Sequence, residues 1–160
     1  IANAASAFEG KDAFGLEKVK QEEETAEDDL IPYEQRELER TKDYITGAIF
    51  KIKVDPTHPL GFGYDSYYHS LKTSSSAYQY LKKGYNVAYL DDSAQHVSGF
   101  VGEKAAENIK NSLVFGEQRI GRGSLIYMVD DVMFRSFWEN GKLFFVNALF
   151  MVNSRSHNFK

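Results

Sequence analysis

The stretch from Gly121 to Phe150, GRGSLIYMVDDVMFRSFWENGKLFFVNALF, constrains the fold more than any other, because it is densely apolar and holds the single tryptophan, Trp138. Ser124 to Val129 is dominated by Leu125, Ile126, Tyr127, Met128 and Val129 and is bounded by Gly123 and Asp130-Asp131. It predicts a strand buried on both faces, since a half-exposed strand would alternate. Beyond the aspartates, Phe134, Phe137, Trp138, Gly141, Phe145, Ala148 and Val152 recur every three or four positions, as the inner stripe of an amphipathic helix does. Glycine there costs roughly 1 kcal/mol against alanine, so either Gly141 permits close approach to a strand, the preferred reading, or the helix breaks at Asn140-Gly141. Asp130 or Asp131 is placed to cap this helix, a carboxylate being favoured by the free amides and the dipole of a first turn. The alternative is functional. Acids at the carboxyl end of a central strand lie where open α/β sheets bind ligands, here with Arg135 and Glu139 nearby.

At 160 residues and 42% hydrophobic content the chain suits one domain, 1–160, burying roughly 70% of its unfolded surface. Twelve phenylalanines and ten tyrosines argue against disorder. A net charge of −4 supplies no basic stripe for nucleic acid. The absence of cysteine removes disulfides, thiolate zinc sites and a cysteine nucleophile from this chain. No run reaches the ~18–20 apolar residues of a membrane span. The chain opens without methionine, and Ile1, Ala4, Ala5 and Phe8 share one helical face, so it reads as part of a longer polypeptide.

Residues 17–29 carry seven acids and read as a mobile, solvated acidic loop; their spacing does not match a calcium-binding EF-hand loop. Pro32 opens a charged helical stretch, and Phe50, Ile52 and Val54 alternate with Lys51, Lys53 and Asp55 as in a half-buried strand. Asp55-Pro56 and His58-Pro59 force a turn. His58 is a candidate binding residue there, or simply exposed or bonded to backbone. Tyr64, with Phe62, Tyr67 and Tyr68, either packs inside or offers an aromatic surface to a glycan or peptide. Ser74 to Ser76 are expected to cap a short helix over 77–83, with a strand at 87–90, a turn at 98–102 and a helix over 103–111. Gly121-Arg122-Gly123 joins two strands as a hairpin, and 154–160 are expected to fray.

The Gly-x-Gly, the hydrophobic strand ending in acid and the following FRSFWENGKLFFVNALF resemble the closing segment of the glutamine-amidotransferase-like domain that follows the catalytic domain in certain secreted bacterial zinc carboxypeptidases. GAIFKIKVD (Gly47 to Asp55) and HPLGFGY (His58 to Tyr64) are similar to that family's pattern, in the same order, so the resemblance spans roughly positions 45 to 150. It implies an α/β fold with an incomplete flavodoxin-like or class I amidotransferase-like sheet flanked by helices, its first strands missing. It also implies export to the periplasm or outside the cell, an upstream peptidase domain as partner, homo-oligomer formation as a further role, and zinc held upstream. The chain itself departs from the family's chemistry. Gly61, Lys72, Gly99 and Lys160 stand three positions after the four histidines, so no His-x-x-Glu pair exists to begin a zinc site, and a G-x-S-x-G elbow is missing too. The expectation is a non-catalytic accessory or interaction domain with no cofactor of its own. The alternatives are a glycan- or peptide-binding module on 62–68 and a hydrolase around Asp130, Arg135 and Glu139.

Overall fold

The computed structural model describes residues 16–19 and 30–152. The expected helix at 1–8, residues 20–29 of the acidic loop and the tail at 154–160 lie outside them. The start of the acidic stretch, expected to be mobile, is paired: Lys18 bridges to Tyr78, the Val19 amide donates to the Ala77 carbonyl, and the Gln79 amide donates to that of Glu17.

The chain is α/β, with a six-stranded sheet in which β1 (Ile45–Val54) is the hub. One edge of β1 pairs with β2 (Tyr67–Lys72), placing Ile52 opposite Tyr68, Phe50 opposite Ser70 and Ala48 opposite Lys72. The other edge is divided between β3 (Tyr85–Leu90), which meets Lys53 and Val54, and β4 (Gln95–Val101), which runs along Ile45 to Lys51. From β3 the sheet continues to β5 (Ser112–Ile120) and β6 (Gly123–Met128). All these pairings are antiparallel, whereas a flavodoxin-like sheet is built on parallel strands joined by crossover helices.

The alternation read in Phe50 to Val54 is present, with Phe50, Ile52 and Val54 buried and Lys53 exposed. The Gly121-Arg122-Gly123 hairpin is present as well. Ile120 pairs with Gly123, and Gly121 takes the left-handed φ of 58° that such a short loop requires. Helix α1 (Tyr33–Thr41) buries none of its side chains, in keeping with its charge.

Several expectations fail. The apolar block Ser124–Val129 is not a central strand buried on both faces: β6 ends the strand order, and Tyr127 is its one buried residue. The strand covered on both sides is β5, buried from Ser112 to Glu117. Phe115 there faces one cluster with Ile52, Tyr68 and Phe144, and Leu113 the other with Leu16, Tyr78 and Tyr127. The turn expected at 98–102 is instead the outer half of β4, exposed nearly throughout. Residues 77–83 are irregular rather than helical. The Tyr78 carbonyl accepts from the Leu113 amide, and the Asn86 side chain accepts from the Leu81 amide, so the stretch is engaged by strands instead of by itself. The predicted helix over 103–111 shortens to α2 (Glu103–Asn108), with Ala105 and Ile109 inward.

The long helix expected from Phe134 onward begins only at Glu139. Phe134–Ser136 is a single 3-10 turn in which Arg135 (φ 50°) and Ser136 (φ 60°) are both left-handed, and α3 (Glu139–Phe150) follows. Its inner stripe is Gly141, Phe144 and Asn147, one position off the Phe145 phase read from the sequence. With Leu143 to Val146 all apolar, periodicity alone does not choose the phase. Tertiary partners do: Phe144 stacks on Tyr64 (4.2 Å between centroids) and contacts Phe115 (4.4 Å) and Tyr68 (4.9 Å). Burying a phenylalanine is worth roughly 1.5–3 kcal/mol, and Phe144 is the one whose burial also brings Gly141 against the backbone.

Candidate functional site

The polar side chains that could do chemistry gather in two buried groups on the inner face of the sheet. Ser70 and Lys72, two apart on β2, point the same way, into the core. There the Lys72 ammonium lies 2.8 Å from Asp130 Oδ1, and the Ser70 hydroxyl donates to Asp130 Oδ2 at 2.5 Å. The Lys72 side chain is 1% exposed and that of Asp130 8%. Asp130, at the end of β6, therefore caps nothing. Its neighbour Asp131 does the local work, accepting from the Met133 amide at 3.0 Å and starting the 3-10 turn through its carbonyl. A buried ion pair contributes little net stability, because desolvation offsets the attraction. Here it fixes register: a one-residue slip of β2 would turn Ser70 and Lys72 to solvent and strand Asp130.

The second group centres on His58 and Glu117. His58 stands between Pro56 and Pro59 in the chain, with Nδ1 accepting from the Leu60 amide at 3.2 Å and Nε2 lying 3.3 Å from Glu117 Oε2. The Ser124 hydroxyl donates to Glu117 Oε1 at 2.6 Å. Serine, histidine and acid are thus close together, but not in the order that activates a nucleophile. Nδ1 is taken by the Leu60 amide, Nε2 lies at ion-pair distance from Glu117 rather than from the serine, and the serine hydrogen points to the carboxylate rather than to a base. Just before the ring, the Thr57 hydroxyl donating to Asp55 holds that carboxyl below its usual range, against the opposing effect of burial.

Tyr64 is structural. Its hydroxyl donates to the Asn140 carbonyl at 2.7 Å and accepts from the Phe144 amide at 3.2 Å, bolting the first turn of α3 to the loop. Asn147 completes the clamp, its amide donating to the carbonyls of Leu60 (3.1 Å) and Phe62 (2.8 Å). Burial pushes the phenols of Tyr64 and Tyr68 well above the usual tyrosine range. Of the four rings in 62–68, Tyr68 is buried and Tyr64 half-buried against Phe144, while Phe62 and Tyr67 are exposed. Tyr67 faces the opposite side of the sheet from Tyr68, with the Lys51 ammonium 4.1 Å from its ring centroid.

Asp130, Arg135 and Glu139 do not converge. Arg135 is exposed, its guanidinium 5.0 Å from the Phe134 ring centroid, and Glu139 pairs with Lys142 on the same helix. Ser70, Lys72, Glu117, Ser124 and Asn147 were not singled out from the sequence. The one signal for them is a polar residue in an otherwise apolar setting, as Asn147 is within LFFVNALF. Among the described residues no three His, Asp or Glu side chains lie close enough to hold a metal, and no helix is long and apolar enough to cross a membrane.

What the core does not use is the outer side of α3. Phe145 (39%), Val146 (43%), Leu149 (58%) and Phe150 (72%) are exposed there in two i, i+4 columns, and the helix's charged residues, Glu139 and Lys142, pair with each other in its first turn. No family model matches this chain, and neither a curated protein nor a solved structure does.

Proposed function

We propose that this chain is a non-catalytic accessory domain that packs, through the outer face of α3, against the upstream peptidase domain of an exported zinc-carboxypeptidase-like protein. The observation that carries the interaction role is that uncharged face. From Leu143 to Phe150 the helix is apolar except at Asn147, and an amphipathic surface helix would present charged or polar residues where Phe145, Val146, Leu149 and Phe150 stand together. The family comes from the sequence resemblance of residues 45–150 alone; the antiparallel sheet is not the parallel one which that resemblance implies. Zinc in this reading belongs to the upstream domain. The glycan-binding alternative is left with Phe62 and Tyr67, and the hydrolase alternative with an Asp130 already neutralised by Lys72.

The test uses the full gene product and the 160-residue chain side by side. Peptidase activity with added zinc on peptides with free C-termini is expected in the longer protein alone. Calorimetric titration of the separately produced upstream domain with this chain is expected to show binding that Leu149→Glu/Phe150→Glu weakens at least tenfold. Exposed positions tolerate such changes within about 0.5 kcal/mol of fold stability, so the variant should unfold at the same urea concentration. Activity in the short chain, or unchanged binding by the variant, would end the proposal.

A further inference from the structure

We infer that His58 is an acid-operated latch on helix α3. A second proton on the ring releases the Leu60 amide, and with it the turn Pro59–Gly61 that holds Asn147. Because Nδ1 accepts the Leu60 N–H, the single proton of the neutral imidazole is on Nε2, the nitrogen 3.3 Å from Glu117 Oε2. A second proton has only Nδ1 to occupy. There it turns an acceptor into a donor that faces another donor. The same proton makes the ring a cation beside the Glu117 carboxylate. Both effects move the ring one way, off Leu60 and toward β5.

The surroundings of the ring define the two states. Among the described residues, Asp55 faces it from the preceding turn, its carbonyl accepting from the His58 amide. Tyr85 lies against it from β3, 4.9 Å between ring centroids. Glu117 meets it from β5, with the second carboxylate oxygen held by Ser124 of β6. Asp55 and Glu117 both favour the charged ring, while burial to 5% exposure opposes it. Helix α3 reaches this turn through the uncharged amide of Asn147, which depends on the carbonyls of Leu60 and Phe62 staying where the turn puts them. Proton uptake at His58 is thereby coupled to the seat of α3. The inference stands on the geometry of this turn and not on what α3 docks against, so it survives or fails separately from the interaction role.

The experiment is NMR on the complete 160-residue chain, following the His58 ring nitrogens together with exchange protection of the Leu60 amide and the Asn147 side-chain resonances. Measurements at about pH 7.5 and about pH 5 bracket the range in which an unperturbed imidazole titrates. At the higher pH the proton is expected on Nε2. At the lower, Leu60 protection, corrected for intrinsic exchange, should fall about tenfold, as loss of one hydrogen bond predicts, with Asn147 shifting in parallel and the β5 amides unchanged. His58→Asn keeps a side-chain acceptor for the Leu60 amide but does not titrate, so its Leu60 protection should be the same at both pH values. The latch is refuted by Nδ1 carrying the proton at pH 7.5, by Leu60 protection that is unchanged once Nδ1 is protonated, or by a His58→Asn protein with the wild-type pH response. If that variant does not fold, the wild-type measurements alone decide.

Discussion

Lys72 shows how a single residue can be misread from its neighbours. In YYHSLK the outward positions Tyr67, His69 and Leu71 are at least as apolar as the inward Tyr68, Ser70 and Lys72, so alternation on its own gives no phase and, if anything, the wrong one. What sets the phase is Asp130, 58 positions away, and no local pattern reports it. The pair makes a sharp prediction. Lys72→Met leaves a carboxylate buried with only Ser70 for company and is expected to cost about 3–5 kcal/mol in urea unfolding, with Asp130→Leu similar. The double variant, which removes both charges, should recover most of the loss. A double variant as unstable as the sum of the two singles would mean that the groups do not act as a pair.

For whole elements, local signals served where they were sufficient. β1 was legible from alternation, the β5–β6 hairpin from its glycines, and α1 from its charge. β4 was not, because Gln95, Ser98 and Gly99 lack any apolar phase and its place is set by backbone pairing to β1. The antiparallel order was not legible either, since pairing between distant strands leaves no local trace. The apolar spacing signals helix α3 but gives neither its phase nor its start. Gly141 does make a close approach, but to the backbone of a turn after β6 rather than to the strand expected. A Cβ there would lie 2.0 Å from the Val132 carbonyl oxygen and 2.8 Å from the Tyr68 hydroxyl. Gly141→Ala should therefore destabilise by about 1–3 kcal/mol despite the roughly 1 kcal/mol that alanine gains within a helix. Urea unfolding measures it, and an increase in stability would show that α3 is not pressed against this turn.

Taken as one molecule, the fold keeps several phenols out of water. Burial raises the values of Tyr64, Tyr68 and Tyr127 and pushes Tyr80 up to about 12. Since unfolded tyrosine ionises near pH 10, the neutral folded phenols add stability that is fully present below that pH and lost as pH rises through their folded values. From neutral pH upward, stability to urea should hold level to about pH 10 and fall steeply between about pH 10 and about pH 12, with tyrosinate absorbance appearing in step with unfolding. Absorbance that rises in full while the chain stays folded would contradict this. The clamp of Asn147 on Leu60 and Phe62 also sets a timetable. It joins residues 87 and 85 positions apart, and at ~5–20 residues per second of synthesis the later partner follows the earlier by on the order of ten seconds. For that interval the rings of Tyr64 and Tyr68, which Phe144 will cover, have no helix over them, so the growing chain exposes aromatic surface that the finished one covers.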